Sequence, residues 1–174
     1  MPKPKTNRAG DQYTPKGYDA CQTPPQAVDP LLPYLPKDKI IWESAAGEGL
    51  LVVKFIHEEY NVVGTDILTG ENFFEQEPTE WDIQVTNPPY SIKYPWLARA
   101  YEFGKPFALL LPVEVLGAKR AQKLFREYGV EVMLLDHRVN FKMPIKGWER
   151  SAAQFPVAWF CWQLLPERLI FAEW

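Results

Sequence analysis

The sequence has little of what staples a small secreted or metal-dependent fold: two cysteines, Cys21 and Cys161, and two histidines, His57 and His137, in 174 residues. These are too few for a disulfide framework and show no zinc-ligand spacing, so no structural metal is expected. No apolar run approaches the roughly 18 residues of a membrane span. The N-terminal MPKPKTNRAG lacks the apolar stretch of a signal peptide. Internal repeats and low-complexity segments are absent as well. A net charge of −3 and a pI near 5.5 speak against a generic nucleic-acid binder. What remains is a soluble intracellular domain.

What is present is a core. Hydrophobic residues make up 47% and aromatics 14%, enough for one domain and too much for wholesale disorder. The 17 prolines are about twice average usage. Charge is divided along the chain: residues 1–92 carry 7 Lys/Arg against 14 Asp/Glu, and residues 93–174 carry 12 against 8. The basic second half leaves room for a local phosphate-facing surface, or simply for solvated helix faces.

Residues 1–21 are polar and read as a flexible tail, with one domain from 22 to 174. An apolar stripe from Gln26 to Leu35 predicts a short helix, against the presence of Pro30 and Pro33. Strand and helix then alternate. Strands are expected at Ile40–Trp42, Asn61–Thr65, Trp81–Thr86, Pro106–Leu111, Val130–Leu135 and Val157–Trp162. Helices are expected at Leu50–Tyr60, Ile92–Phe103 and Leu116–Tyr128. Strands separated by helices of this length imply βαβ units: an α/β, doubly wound, mostly parallel sheet covered on both faces. Asn140 to Gln154 has no periodicity and is long for a connection, which marks it as a functional loop.

Three segments carry chemistry. The first is Glu43-Ser44-Ala45-Ala46-Gly47-Glu48-Gly49, after the first strand and opening a helix. In a doubly wound sheet ligands sit at this carboxyl edge, and small residues let the backbone come close. Val52 stands where the dinucleotide fingerprint has its third glycine, which disfavours a dehydrogenase. Glu43 and Glu48 would repel a pyrophosphate and suit a ligand bearing ammonium and sulfonium charges; the alternative is a plain tight turn. The second is Asp66, 19 residues after Gly47 at the end of the next strand, placed to accept from two ribose hydroxyls or, alternatively, to cap a turn. The third is Asn87-Pro88-Pro89-Tyr90, where an apolar strand runs into two prolines and Ser91 is placed to cap the next helix. Asn-Pro is common in turns. Here the prolines fix the backbone so that the Asn87 side-chain oxygen and a neighbouring carbonyl form an acceptor pair for an –NH2 group, with Tyr90 as an aromatic platform.

These segments resemble the S-adenosylmethionine-dependent methyltransferases, and within them the DNA adenine-N6 enzymes, short phage-encoded ones included. The resemblance covers roughly residues 22 to 163. It implies a Rossmann-like methyltransferase sheet, mostly parallel with a C-terminal antiparallel strand. It implies S-adenosylmethionine as cofactor, held by Thr23, Pro24, Glu43, Ala45, Gly47, Gly49, Asp66, Ile67, Asn72, Phe73 and Asn87. Thr23-Pro24-Pro25 is similar to the upstream motif that folds over the methionine end, and Asn72-Phe73 stands where the family commonly has an Asp-Phe or Asp-Leu pair meeting the adenine. Catalysis falls to Asn87, Pro88, Pro89 and Tyr90. The implied reaction is methylation of the adenine N6 amine in DNA, single- or double-stranded, in a bacterial or phage-infected cytoplasm. Phe141 and Arg138 resemble the late family segment that stacks near the target base. Lys119, Arg120, Lys123 and Arg126 on one helix, with Lys142, Lys146 and Arg150 in the long loop, are the expected phosphate contacts.

Only residues 163–174 follow Trp162, so no separate target-recognition domain is expected, and specificity falls to loops or a dimer partner. The tetrapeptide is specific for a planar nitrogen but not for DNA. RNA bases and protein glutamine remain as alternative substrates, and an inactive binding subunit remains as a non-enzymatic alternative.

Overall fold

The computed structural model describes residues 17–142 and 155–173. Seven strands, β1 (Ile40–Glu43), β2 (Asn61–Gly64), β3 (Ile83–Thr86), β4 (Phe107–Pro112), β5 (Glu131–Leu135), β6 (Val157–Trp162) and β7 (Leu169–Ala172), form one sheet in the order β2-β1-β3-β4-β6-β5-β7. β1 pairs in parallel with β2 and β3, and β3 with β4. β6 lies antiparallel between β4 and β5, and β7 runs parallel to β5. This is the expected doubly wound α/β sheet, mostly parallel, with a C-terminal antiparallel strand. Chain order reverses direction at β1, between β2 and β3, so the carboxyl ends of β1 and β3 flank the crevice where such sheets bind ligands.

Three α-helices, α1 (Leu50–His57), α2 (Lys93–Glu102) and α3 (Lys119–Tyr128), cover the sheet. α1 and the turn Pro25–Tyr34 lie on one face, packing Ala27, Val28, Leu31, Leu51 and Phe55 against Ile41, Val85, Ala108, Leu110 and Trp159. α2 and α3 lie on the other, packing Trp96, Leu97, Tyr101 and Leu124 against Trp42, Phe107, Leu109, Leu111 and Phe160. The alternation along β4 sends Ala108 and Leu110 to one layer and its odd-numbered neighbours to the other, and all six β4 residues are buried. No helix among the described residues is long and apolar enough to cross a membrane.

Local chemistry corrects several expected boundaries. Pro25–Tyr34 is a 3-10 helix, because Pro30 and Pro33 supply no N–H to an α-helical ladder. α1 ends at His57, three residues before Tyr60, where the chain turns through Glu59 at φ 61°. α3 starts at Lys119, behind a separate 3-10 turn over Val113–Gly117. Ser91 does not cap α2, whose N-cap is Ile92 without a side-chain bond. β7 was not expected at all: it is a four-residue edge strand, with Phe171 74% exposed.

Candidate active site

The loop after β1 is pinned at both ends. Glu43 O accepts from Thr65 N at 2.9 Å, Ala46 N donates to Thr65 O at 3.0 Å, and Trp42 Nε1 donates to Thr65 Oγ1 at 2.8 Å. Asp66 follows at the end of β2, 8% exposed. Its Oδ2 accepts from Gly47 N and its Oδ1 from Leu68 N, both at 2.8 Å. One carboxylate therefore holds the glycine loop to the turn Ile67–Thr69, and each oxygen keeps a lone pair for a further donor. Gly47 has φ +54°, and a Cβ there would lie 2.6 Å from Gln22 Oε1. The missing third glycine has a physical answer: a Cβ on Gly64 of β2 would lie 2.7 Å from Val52 Cγ2, so the close approach of α1 to the sheet is provided from the strand side.

Glu43 is 1% exposed. Its Oε1 accepts from Ala45 N at 3.0 Å and from the Thr86 hydroxyl. Burial pushes its carboxyl up to about 8, with the bonds from Thr86 and Ala45 pulling the other way and nearby Asp66 adding to the rise. Two residues upstream on β3, Gln84 Nε2 donates to Ser44 Oγ at 2.7 Å, also buried.

Asn87-Pro88-Pro89-Tyr90 leaves the end of β3 beside this loop. Pro88 is buried and the other three are half-buried. The Asn87 Oδ1 and the Tyr90 hydroxyl are buried with no hydrogen-bond partner among the described residues. The Tyr90 ring meets Phe141 edge-on at 6.4 Å and Phe155 at 5.8 Å. Burial, and then Cys21 nearby, raises the Tyr90 hydroxyl well above its ordinary value. Burial and the charge of Asp19 push the Cys21 thiol up to about 11.

The segment before the Thr-Pro motif crosses both loops. Ser91 donates from its N at 3.1 Å and from its hydroxyl to the Asp19 carboxylate, in place of the expected helix cap. Gln22 Oε1 accepts from Glu48 N at 3.0 Å above Gly47, and the Gln22 backbone pairs with Lys142 through bonds of 2.8 and 2.9 Å. Lys142 Nζ reaches Glu48 Oε2 at 3.6 Å, an exposed pair of small energetic weight. Thr23 is 6% exposed under this crossing, with Pro24 at the start of the following 3-10 helix.

The structure thus gathers Thr23, Pro24, Glu43, Ala45, Gly47, Gly49, Asp66, Ile67, Asn87, Pro88, Pro89, Tyr90, Phe141 and Lys142 around one sheet edge. Asn72 and Phe73 are engaged inside the protein. Asn72 Oδ1 accepts from Phe74 N at 3.0 Å, and the Phe73 ring, 4% exposed, stacks on Trp96 at 3.8 Å. Lys119, Arg120 and Lys123 project into solvent from α3, and Arg138 is exposed ahead of Phe141. Lys146 and Arg150 lie outside the described residues. Sequence reasoning missed Asp19, Gln22, Thr86 and Phe155. A threonine ending an apolar strand, 0% exposed, was the one readable signal, since a buried hydroxyl there needs an acceptor.

No family model matches the sequence. A search of curated proteins likewise finds no match. Among solved structures the chain is similar to the type I restriction-modification system methyltransferase subunit from Streptococcus thermophilus, with TM-score 0.51 and 16% identity over 96% of this chain and 48% of that one. It is also similar to a dimethyladenosine transferase from Plasmodium falciparum, with TM-score 0.52 and 16% identity over 84% of this chain and 63% of the other. The fold is therefore the Rossmann-like methyltransferase fold. The chain spans about half the length of the first of these proteins and under two thirds of the second.

Proposed function

We propose that this chain transfers a methyl group from S-adenosylmethionine to the exocyclic N6 amine of adenine in DNA. The observation that carries the reading is the Asn87 Oδ1, an acceptor buried without a partner among the described residues at the carboxyl end of β3, beside the loop closed by Asp66. An acceptor left bare in this way costs about 1–3 kcal/mol, and a docked N–H restores it.

The residues fit the cofactor chemically. Asp66 has acceptor capacity left for ribose hydroxyls, Glu43 offers a carboxyl to positive charge, and at Gly49 the space where a side chain would lie is open. When bound, S-adenosylmethionine supplies an electrophilic methyl carbon. Held by these residues, it would give up its methyl carbon to N6 with the C–S bonding pair left on sulfur, and an N6 proton would go to solvent. The protein's part is to hold the amine. Asn87 Oδ1 and the Pro88 carbonyl accept its N–H groups, favouring the tetrahedral, partly positive nitrogen over the flat one. Tyr90 stacks on the base, which must be unstacked when the substrate is a duplex. Phe141 and Phe155 wall the Tyr90 ring, and Lys119, Arg120 and Lys123 with Arg138 and Lys142 supply phosphate contacts whose strength falls with salt.

The test uses methyl-labelled S-adenosylmethionine with single-stranded DNA, duplex DNA, RNA and a protein lysate, each digested and analysed by mass. N6-methyladenine from DNA is the expected product. Label on RNA bases or on glutamine instead would replace the substrate, and cofactor binding without label in any substrate would overturn the transfer.

A further inference from the structure

The two loops of the site are joined by one buried bridge. Thr86 immediately precedes Asn87, is 0% exposed, and donates its hydroxyl to Glu43 Oε1, at the head of the cofactor loop. The Ala45 N–H donates to the same oxygen at 3.0 Å. Two donors on one oxygen are the surroundings of an ionised carboxylate, whereas burial favours the neutral acid. The groups facing Glu43 are Thr86 from β3, the Ala45 N–H from its own loop and the Asp66 carboxylate from the end of β2, a like charge. The pair is thus wired for the ionised form and starved of the positive charge that would stabilise it.

We propose that Glu43 and Thr86 form a proton-linked bridge: a cationic ligand docking beside Glu43 drives the carboxyl into its ionised form, and Thr86 ties that change to the placement of Asn87. Thr86 is a positioning residue in this scheme, touching neither cofactor nor amine. The inference rests on the reading that the loop binds S-adenosylmethionine, whose ammonium and sulfonium bring the charge.

The sign follows from a carboxyl raised to about 8 in the empty protein. Below that pH the empty site is protonated, so binding expels a proton, and affinity rises with pH before levelling off. The rise is limited to about tenfold per pH unit for one coupled proton. Fold stability of the empty protein runs the opposite way. The contribution of Glu43 is present below its ordinary value of 4.5 and is lost as pH rises through about 8.

Calorimetric titration with S-adenosylmethionine, from pH 6 to 9 in two buffers of different ionisation enthalpy, counts the expelled protons. The wild type should release about one proton per ligand near pH 6.5 and few at pH 9. Glu43→Gln should bind more weakly, with no such release. Thr86→Val should move the midpoint upward by roughly one pH unit, because one donor to the ionised form is gone, and Thr86→Ser should restore it. Heat unfolding of the ligand-free protein should show stability falling as pH rises and levelling off near 8, and Glu43→Gln should flatten that fall. Binding without proton release, release that persists in Glu43→Gln, or a midpoint unmoved in Thr86→Val overturns the bridge alone. A wild type that binds at no pH overturns the cofactor reading beneath it.

Discussion

The loop after β1 and the Asn87–Tyr90 tetrapeptide after β3 sit side by side, yet their polar groups are treated in opposite ways. In the loop the chain satisfies itself. Both Asp66 oxygens are engaged, Glu43 holds two donors, and Ala46, Gly47, Glu48 and Gly49 each donate a backbone N–H to a named acceptor. In the tetrapeptide the Asn87 Oδ1 and the Tyr90 hydroxyl are buried with no partner among the described residues. Buried polar groups are nearly always partnered, and Asn87 and Tyr90, three positions apart, are two of the exceptions among the described residues. The loop is closed by the chain's own donors and acceptors, while the tetrapeptide leaves acceptor capacity open to a ligand.

The comparison can be broken most forcefully at Asp66. Asp66→Ala strips the acceptors from two backbone N–H groups in a buried corner, and should cost about 3 kcal/mol of stability by chemical denaturation and most of the cofactor affinity. A smaller effect is expected at Gly47, whose left-handed backbone costs a side chain about 1–2 kcal/mol and whose Cβ would meet the Gln22 carboxamide. The Gln22→Ala, Gly47→Ala double variant should recover the collision part and leave the backbone part, a separation that a double-mutant cycle reads directly. The smallest effect belongs to the unsatisfied side. Tyr90→Phe removes a hydroxyl with no partner among the described residues, so stability should hold or rise by up to about 1 kcal/mol. Turnover should fall no more than about threefold, because the stacking face is kept.

Much of this pair of regions was legible in the sequence because its signals are local. The strand-to-helix rhythm gave the sheet, the small residues from Ala45 to Gly49 gave the loop, and the consecutive prolines after Asn87 gave the tetrapeptide. What escaped is what joins distant residues: Gln22 reaching Glu48, Thr86 reaching Glu43, and Asp19 reaching Ser91 across 72 positions. Thr86 at the end of an apolar strand signals only that it needs an acceptor, and none of these side chains carries a mark of which partner so far along the chain it meets. Asn72-Phe73 shows the converse. The pair departs by its Asn from the Asp-Phe or Asp-Leu that the family commonly has at this place, a local signal that said nothing of the Phe73 ring stacking on Trp96 inside an aromatic cluster with Trp42, Trp81 and Phe103. β7 escaped for a third reason, being too short for a period-2 pattern to register.

The most direct test of the contrast is one substitution read two ways. Asn87→Ala should leave the melting temperature unchanged or raised, since the lost oxygen had no partner to abandon. It should lower methyl transfer to adenine by about 10²–10³-fold with cofactor affinity intact. A variant that unfolds readily, or one that methylates at close to the wild-type rate, would contradict the claim that Asn87 is held bare for the substrate amine.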